Sequence, residues 1–225
     1  MRPVRLSLTG RGLAAMNKSV EQYWNAAYAD SAYRSDHDGW LMPYLRLLRP
    51  ERGRIVDLGC GLGHNARTLH AAGFEVSACD LSERAVERLR KEEQGIEALR
   101  LDMTQGLPWT DGELQAVVAD LSLHYFPENI TFAVIRDIRR ALRSNGLLLC
   151  RLNAIGELAD KPDAVPVEGD RRLYEDEGIL RRFFDAEEIE RFFPATEWET
   201  LTLREEQSGR YGKTKRLWEA VMKRH

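Results

Sequence analysis

The chain has 225 residues, 43% of them hydrophobic, which is enough for one large α/β domain or two small ones. Its 33 basic residues nearly balance 36 acidic ones and leave a net charge of −3, so the composition indicates neither a nucleic-acid partner nor a membrane partner. The three cysteines, Cys60, Cys79 and Cys150, lack the paired spacings of metal sites and disulfide frameworks. We therefore expect a cytoplasmic protein with reduced, buried thiols and no metal.

Residues 1–16 combine three arginines with short apolar stretches that proline and glycine interrupt. The segment lacks the continuous apolar core of a signal peptide, and no later stretch approaches the ~20 apolar residues of a membrane span. We expect neither export nor membrane insertion, and we interpret 1–16 as a loose extension before a single domain at 17–225. The sequence leaves open whether Met16 is the native first residue.

Two helices are predicted next, at 19–29 and 38–48. Apolar residues recur at helical spacing in the first, and a capping Asp opens the second. We interpret segment 19–48 as a lid over a ligand, in which Arg34 is a candidate partner for a cofactor carboxylate. The aromatic residues of the first helix form either an ordinary apolar face or the inner face of the lid; they are Tyr23, Trp24 and Tyr28.

Strands and helices alternate between residues 53 and 152, the predicted cofactor core. Because the strands are almost continuously apolar, they are expected to form a parallel sheet with helices on both faces. The predicted fold class is therefore α/β, with a doubly wound Rossmann-like sheet. The strands are predicted at 54–58, 74–79, 96–101, 114–119 and 146–152, and the helices at 63–72, 82–93 and 130–143.

Segment 153–225 is predicted to supply a substrate loop and an antiparallel hairpin. Its first part contains Pro and Gly, as loops do. Arg151, just before the segment, and Asn153, its first residue, are candidate substrate contacts. A short helix with a capping Asp follows at 185–193. Two strand-like runs come last and are expected to form a hairpin at the sheet edge: 197–204 and 217–222.

The densest motif runs from Val56 to Asn65, where the first strand meets its helix. Glycines at this point let the backbone approach a ligand closely. A dinucleotide would need a further glycine where the chain has His64, and its pyrophosphate would be repelled by Asp57. S-adenosylmethionine (SAM) carries an ammonium and a sulfonium, which Asp57 would attract. A phosphate loop for nucleotide triphosphates is excluded, because the Gly-Lys-Ser/Thr ending is absent.

Acidic residues also follow the next three predicted strands. Asp80 can accept from ribose hydroxyls while Leu81 packs on adenine, and Asp102 can accept from the adenine amino group while Met103 covers the ring edge. Asp120 begins the segment that should face the transferred methyl group. Each of these residues could also be an ordinary turn residue, since Asp is common after any strand.

Two residues of the segment 120–126 are candidate proton acceptors for the acceptor substrate. His124 can take a proton from an alcohol or an amine, and Tyr125 is the less favoured alternative. A thiolate or another soft anion would need no base. His124 also fits the ordinary interpretation of a packed loop histidine.

The motif Asp57-Leu58-Gly59-Cys60-Gly61-Leu62-Gly63 resembles the glycine motif of class I SAM-dependent methyltransferases, and the similarity extends over about 54–152. Segments 63–65 and 184–189, with Trp198 and Glu205, resemble the tellurite-resistance branch of that superfamily. The resemblance implies a seven-stranded sheet, mostly parallel and completed by the antiparallel hairpin. It implies SAM as cofactor, with S-adenosylhomocysteine (SAH) as product. The expected cofactor-contacting residues are Asp57, Gly59, Cys60, Gly61, Asn65, Asp80, Leu81, Asp102, Met103, Asp120 and Leu121.

The sequence departs from the family pattern at His64, where Arg is usual, and at His124 and Tyr125, where many members are apolar. The resemblance therefore does not transfer an acceptor substrate. We expect in-line methyl transfer to a small molecule by a monomer or homodimer, because no basic face or added module indicates a nucleic acid. The alternatives are a non-catalytic SAM-binding sensor or partner subunit and, less favoured, an NAD(P)-dependent oxidoreductase.

Overall fold

A computed structural model describes residues 10–30, 38–210 and 213–225. Arg34, the candidate for the cofactor carboxylate, lies outside the described residues, as do residues 1–9 of the expected extension. In the described part of the chain, no helix combines the length and hydropathy that a membrane span requires.

Within the described ranges, ten strands form two sheets. The larger sheet has seven strands in the order β3-β2-β1-β4-β5-β10-β9, and the smaller has the order β6-β7-β8. The strands are β1 (Ile55–Leu58), β2 (Val76–Asp80), β3 (Glu97–Arg100), β4 (Leu114–Asp120), β5 (Leu142–Asn153), β6 (Val165–Val167), β7 (Asp170–Asp176), β8 (Ile179–Arg182), β9 (Trp198–Arg210) and β10 (Lys213–Arg224).

The larger sheet is parallel from β3 to β5, and β10 pairs antiparallel with both β5 and β9. This arrangement confirms the predicted seven-stranded, mostly parallel sheet with an antiparallel hairpin at its edge. Because β1 lies between β2 and β4, the connections run in opposite directions on either side of it. The carboxyl end of β1 is thus the switch point where doubly wound sheets bind ligands.

Five α-helices accompany the sheets in the part of the chain that the structure describes: α1 (Gly10–Ala29), α2 (His64–Ala71), α3 (Glu83–Glu92), α4 (Glu128–Ala141) and α5 (Ala186–Phe192). Side chains of α2 and α3 pack with Ile55 on one face of the large sheet, while those of α4 and α5 pack with Val56 on the other. Two helices have side-chain caps: Ser82 accepts from the Ala85 amide at 3.2 Å, and Asp185, as predicted, accepts from the Glu188 amide at 2.9 Å. Each satisfies an amide that has no partner within its helix.

The first two helical predictions need correction. α1 begins at Gly10 rather than at residue 19, so the end of the expected loose extension is helical. Met16 explains this, because it packs against the buried cluster around Val20. No α-helix forms at 38–48; a turn at Gly39 (φ 66°) precedes a 3₁₀ helix at Met42–Leu47, which has a proline in its first turn.

The predicted substrate loop is also structured. A 3₁₀ helix at Ile155–Asp160 leads into the antiparallel sheet β6-β7-β8. Glu177 (φ 54°) and Gly178 (φ 78°) form the two-residue turn between β7 and β8, where positive φ at both positions suits a tight hairpin. Leu173 and Leu180 are buried in a small separate cluster, and their burial stabilises this sheet.

Candidate cofactor cleft

A cleft lies at the carboxyl edge of the large sheet, between the loops that follow β1 to β4 and helix α1. It encloses about 900 Å³ of empty space, part of it in the open mouth, which is within the range of small-molecule sites. The predicted cofactor-contacting residues from Gly59 to Leu121 all line it, namely Gly59, Cys60, Gly61, Asn65, Asp80, Leu81, Asp102, Met103, Asp120 and Leu121. The fold therefore brings together residues that are up to about a quarter of the chain apart.

Glycines are required in the loop after β1. Gly59 and Gly61 have positive φ angles of 77° and 52°, which L side chains rarely adopt. A Cβ on Gly59 would overlap the Cβ of Ser122, and one on Gly61 would lie 2.7 Å from the Tyr28 hydroxyl. The loop is also held at β2, since the amides of Gly59 and Cys60 donate to the Cys79 carbonyl at 2.7 and 2.9 Å. The glycine loop is therefore tightly packed and held in one conformation.

Asp80 holds this loop from the end of β2. Its two carboxylate oxygens accept from the amides of Gly61 and Ser82, both at 2.8 Å. Burial raises the pKa of Asp80, while the amide donors oppose that shift. Each carboxylate oxygen retains a lone pair, so the side chain can still accept from ribose hydroxyls in the cleft.

Asp57 lies beneath the cleft rather than in its lining. Its side chain is 1% exposed; Oδ2 accepts from the Ala66 amide at 3.0 Å, and no described residue bonds to Oδ1. Burial raises the pKa of Asp57 to about 8, and the neighbouring charges of Asp120 and Asp80 add to that rise. Asp57, expected to contact the cofactor, is therefore a buried carboxyl group beneath the cleft and not part of its lining.

Asp120 lines the cleft and is fixed from behind by Arg151. The guanidinium donates from Nε to Oδ1 at 2.7 Å and from Nη2 to Oδ2 at 2.9 Å, while its Nη1 donates to Asp38 at 2.5 Å. Arg151 also lies over the Trp40 ring, 4.8 Å from its centroid. With 1% exposure it cannot contact a substrate, which corrects its predicted role.

Asn153 lies outside the cleft as well. It is fully buried within β5, and its amide faces the Arg182 carbonyl at 3.5 Å. The prediction placed it in a substrate loop because the strand was expected to end one residue earlier. Instead β5 continues to Asn153, where it pairs with Leu217 of β10.

Of the two candidate proton acceptors, only Tyr125 lines the cleft. His124 is 1% exposed, and neither of its ring nitrogens has a hydrogen-bond partner among the described residues. Burial, followed by the charges of Lys215 and Arg181, holds the pKa of His124 well below its usual range. The imidazole is thus neutral and separated from the cleft, behind a Tyr125 ring 4.4 Å away.

Helix α1 forms the remaining wall. Val20, Trp24 and Tyr28 recur every fourth residue and line the cleft, and the Trp24 and Tyr28 rings stack at 5.3 Å. Tyr23 does not line it; its hydroxyl donates to Glu177 at 3.2 Å. Two of the three predicted lid aromatics therefore face the cleft.

A second, polar stripe of α1 fixes the helix to the sheet edge. Glu21 pairs with Arg100 at 2.7 Å, and Asn25 accepts from the Ser82 hydroxyl at 2.6 Å. Asn17, in the same register, lines the cleft and had not been identified from the sequence. The four-residue spacing of Asn17, Glu21 and Asn25 was the available indication, but it extends beyond the predicted start of the helix.

A doubly wound sheet with a glycine loop after β1 and carboxylates after β2, β3 and β4 defines a Rossmann-like cofactor-binding protein. The family model described as "Methyltransferase domain" matches residues 55–146. This segment contains the glycine loop and the three carboxylates. Over residues 55–146 the chain is thus similar to the methyltransferase domain family, and SAM is the cofactor that this similarity supports.

Two curated relatives carry the same domain. The chain is 29% identical over 160 residues to "Putative methyltransferase YqeM" of Bacillus subtilis (strain 168), covering 68% of this chain and 64% of the relative. It is 40% identical over 113 residues to trans-aconitate 2-methyltransferase of Mycolicibacterium gilvum (strain PYR-GCK), covering 47% of this chain and 41% of that protein. The chain thus spans less than two thirds of either relative.

Solved structures show the same fold at low sequence identity. A SAM-dependent methyltransferase from Anabaena variabilis superposes with a TM-score of 0.71 at 21% identity, covering 100% of this chain and 99% of that one. The 1,6-didemethyltoxoflavin-N1-methyltransferase of Burkholderia thailandensis gives 0.70 at 14% identity, with 99% and 93% covered. TehB from Haemophilus influenzae gives 0.63 at 16% identity, with 91% and 67% covered.

Proposed function

We propose that the protein transfers a methyl group from SAM to a small-molecule acceptor by in-line displacement. The observation that carries this proposal is the meeting of Gly59, Gly61, Asp80, Asp102 and Asp120 in one cleft under α1. Glycines admit a nucleoside, and the carboxylates offer acceptors to its ribose and its amino group. Two relatives of this fold are named for small acceptors, trans-aconitate and 1,6-didemethyltoxoflavin.

The charge of the cleft favours a cationic cofactor over a dinucleotide. Asp80 and Asp120 line it, and Asp57 lies directly beneath. A pyrophosphate placed on the glycine loop would face these carboxylates, whereas an ammonium and a sulfonium would be attracted to them. Asp57, whose Oδ1 has no partner among the described residues, gains most from a cation nearby. The acidic residues in and beneath the cleft therefore fit the positively charged groups of SAM.

The reaction needs orientation more than proton transfer. SAM supplies an electrophilic methyl group, and the protein has to hold the acceptor atom on the axis of the breaking bond and exclude water. Trp24 and Tyr28 from α1 and Tyr125 and Phe126 from the opposite wall provide apolar surface for that purpose. His124 is too buried to accept a proton as the structure stands. We therefore expect an acceptor that is nucleophilic without a base, such as a thiolate or another soft anion.

The location proposed for this activity is the cytoplasm. All three cysteines are buried free thiols, which suits a reducing compartment. Two of them, Cys60 and Cys79, flank the cofactor loop. Burial raises the pKa of the Cys60 thiol above its usual range, which keeps it protonated and unreactive beside the cofactor.

Calorimetric titration with SAM, SAH and NAD tests the cofactor. We expect SAM and SAH to bind and NAD not to bind, and Asp80→Ala to weaken SAH at least tenfold. Asp111→Ala is the matched control, because its 82% exposed side chain lies on the surface away from the cleft. Release of SAH in the presence of thiols, carboxylates and small heteroaromatic amines then identifies the acceptor. NAD binding without SAM binding would overturn the proposal; SAM binding without turnover in any acceptor class would favour the non-catalytic sensor.

A further inference from the structure

Asn17 is the one amide side chain that α1 contributes to the described lining of the cleft. It is 7% exposed, and its Nδ2 donates to Asp102 Oδ2 and to Thr104 Oγ1, both at 2.8 Å. Asp102 is itself fixed, since its Oδ1 accepts from the amide and the hydroxyl of Thr104 at 3.0 and 2.7 Å. The helix and the end of β3 therefore hold one another through polar side chains at the cleft wall.

The orientation of the Asn17 amide follows from these partners. A carboxylate only accepts hydrogen bonds, so the nitrogen of Asn17 has to face Asp102 and its oxygen has to face away. No described residue donates to Asn17 Oδ1. This leaves two acceptors among the residues that line the cleft: Asn17 Oδ1, and Asp102 Oδ2 through the lone pair that Asn17 Nδ2 does not use.

We propose that Asn17 determines specificity for adenine. In this arrangement Asn17 Oδ1 and Asp102 accept the two N–H groups of the exocyclic amino group. The inference rests on the proposed SAM activity and adds a residue from outside the glycine-loop domain to cofactor recognition. A purine with a carbonyl in place of the amino group would set an acceptor against two acceptors, and a buried polar pair left without donors rejects such an analogue strongly.

The same geometry makes cofactor recognition depend on α1. Asn17 reaches the cleft wall only when the helix lies along the sheet edge, where Glu21 and Asn25 also fix it. Of these three polar residues, Asn17 alone lines the cleft. The substitution Asn25→Ala is therefore the matched control. It removes a hydrogen bond that holds the same helix to the sheet edge, and it leaves the acceptors at the adenine position in place.

The test compares SAH with S-inosylhomocysteine, the analogue that carries a carbonyl at the same ring position, by calorimetry or competition. We expect the wild type to prefer SAH by at least about a hundredfold. Asn17→Ala should weaken SAH about tenfold and leave the analogue nearly unchanged, so that the preference falls about tenfold. Asn25→Ala should weaken both ligands by the same factor and keep the preference.

The outcomes separate this proposal from the one on which it rests. If wild-type protein binds SAH and Asn17→Ala keeps the wild-type preference, Asn17 has only a structural role and the proposal is wrong. If the wild type binds neither ligand, the SAM activity itself is overturned and this inference with it. If Asn17→Ala loosens α1, which would appear as a lower helix content, Asn17→Leu repeats the test. Leu is similar in size to Asn and has a better helix propensity than Asn.

Discussion

Arg151 forms a two-point ion pair with Asp120, with Nε and Nη2 donating to the two carboxylate oxygens at 2.7 and 2.9 Å. The side chains are 1% and 5% exposed, so both charges have left water. The pair holds the Asp120 carboxylate in one orientation beside the cleft and provides it with a cation, which its neighbour Asp57 lacks among the described residues. Asp57 has an amide donor and no cation, and its pKa is raised to about 8.

Removal of the Arg151 guanidinium should therefore destabilise the fold strongly. Arg151→Met leaves Asp120 buried without its cation and frees Asp38, and breaking a buried pair in this way costs about 3–5 kcal/mol. The free energy of unfolding from urea titration measures the loss. Arg84→Met is the control, because Arg84 is 61% exposed and its pair with Glu87 should contribute little. A loss below about 1 kcal/mol in Arg151→Met would contradict a desolvated pair.

Asp57 should make the stability of the protein without cofactor depend on pH. Its pKa is raised to about 8 in the folded state, well above the ordinary value near 4, so the fold favours the neutral carboxyl. Its contribution is fully present below about pH 4 and is lost progressively as the pH rises to about 8. Asp57→Asn should remove this decline.

Urea midpoints at pH 5, 7 and 9 measure the effect on wild type and Asp57→Asn. We expect the two proteins to diverge with rising pH, with the variant relatively more stable at pH 9. Parallel curves would show that Asp57 ionises normally in the fold. Added SAH should reduce the divergence, because its ammonium favours the carboxylate form of Asp57.

The sequence predicted the cofactor half of the molecule well because its features are local. The glycine loop, the strand-end carboxylates and the apolar strands each depend on a few neighbouring residues, so the sequence alone indicates that Gly59, Asp80 and Asp102 meet in one cleft. The seven-stranded, mostly parallel sheet with its terminal hairpin followed from the family resemblance and was confirmed.

The part of the molecule expected to bind the acceptor substrate was predicted poorly, because the roles of its residues depend on partners that are distant in the sequence. Arg151 lies near the end of its predicted strand, beside the expected substrate loop, and only the proximity of Asp120 and Asp38 shows it to be a buried counterion. His124 stands in the methyl-facing segment, but its ring packs behind Tyr125. The sheet β6-β7-β8 was missed because its short strands are largely polar and only a few of their residues form a core.

Gly59 should be irreplaceable for steric reasons beyond its backbone conformation. A Cβ at this position overlaps that of Ser122, which packs directly against the glycine loop, so Gly59→Ala must move the loop and should weaken SAH binding more than tenfold. Gly169→Ala is the matched control, because Gly169 has a similar φ of 84° with no atom within 4 Å of the added Cβ.

The control should lose stability through backbone strain alone and bind SAH normally. Adding Ser122→Gly to Gly59→Ala removes the opposing Cβ and should restore part of the affinity. Calorimetry on the three variants distinguishes the two causes. Equal affinities for Gly59→Ala and Gly169→Ala would mean that the contact with Ser122 has no effect on binding.

His124 should contribute no proton transfer near neutral pH. Its pKa lies well below the usual range because burial and the charges of Lys215 and Arg181 disfavour the imidazolium, so the neutral ring is favoured near neutral pH. His124→Leu replaces two buried nitrogens that have no partner among the described residues, and it should leave stability unchanged or increase it. With an acceptor identified, the pH profile of kcat/KM should show the same inflections in wild type and variant. An inflection between pH 6 and 7 that disappears in His124→Leu, together with a large loss of kcat, would instead assign His124 as the base and require the segment 121–126 to open when the acceptor binds.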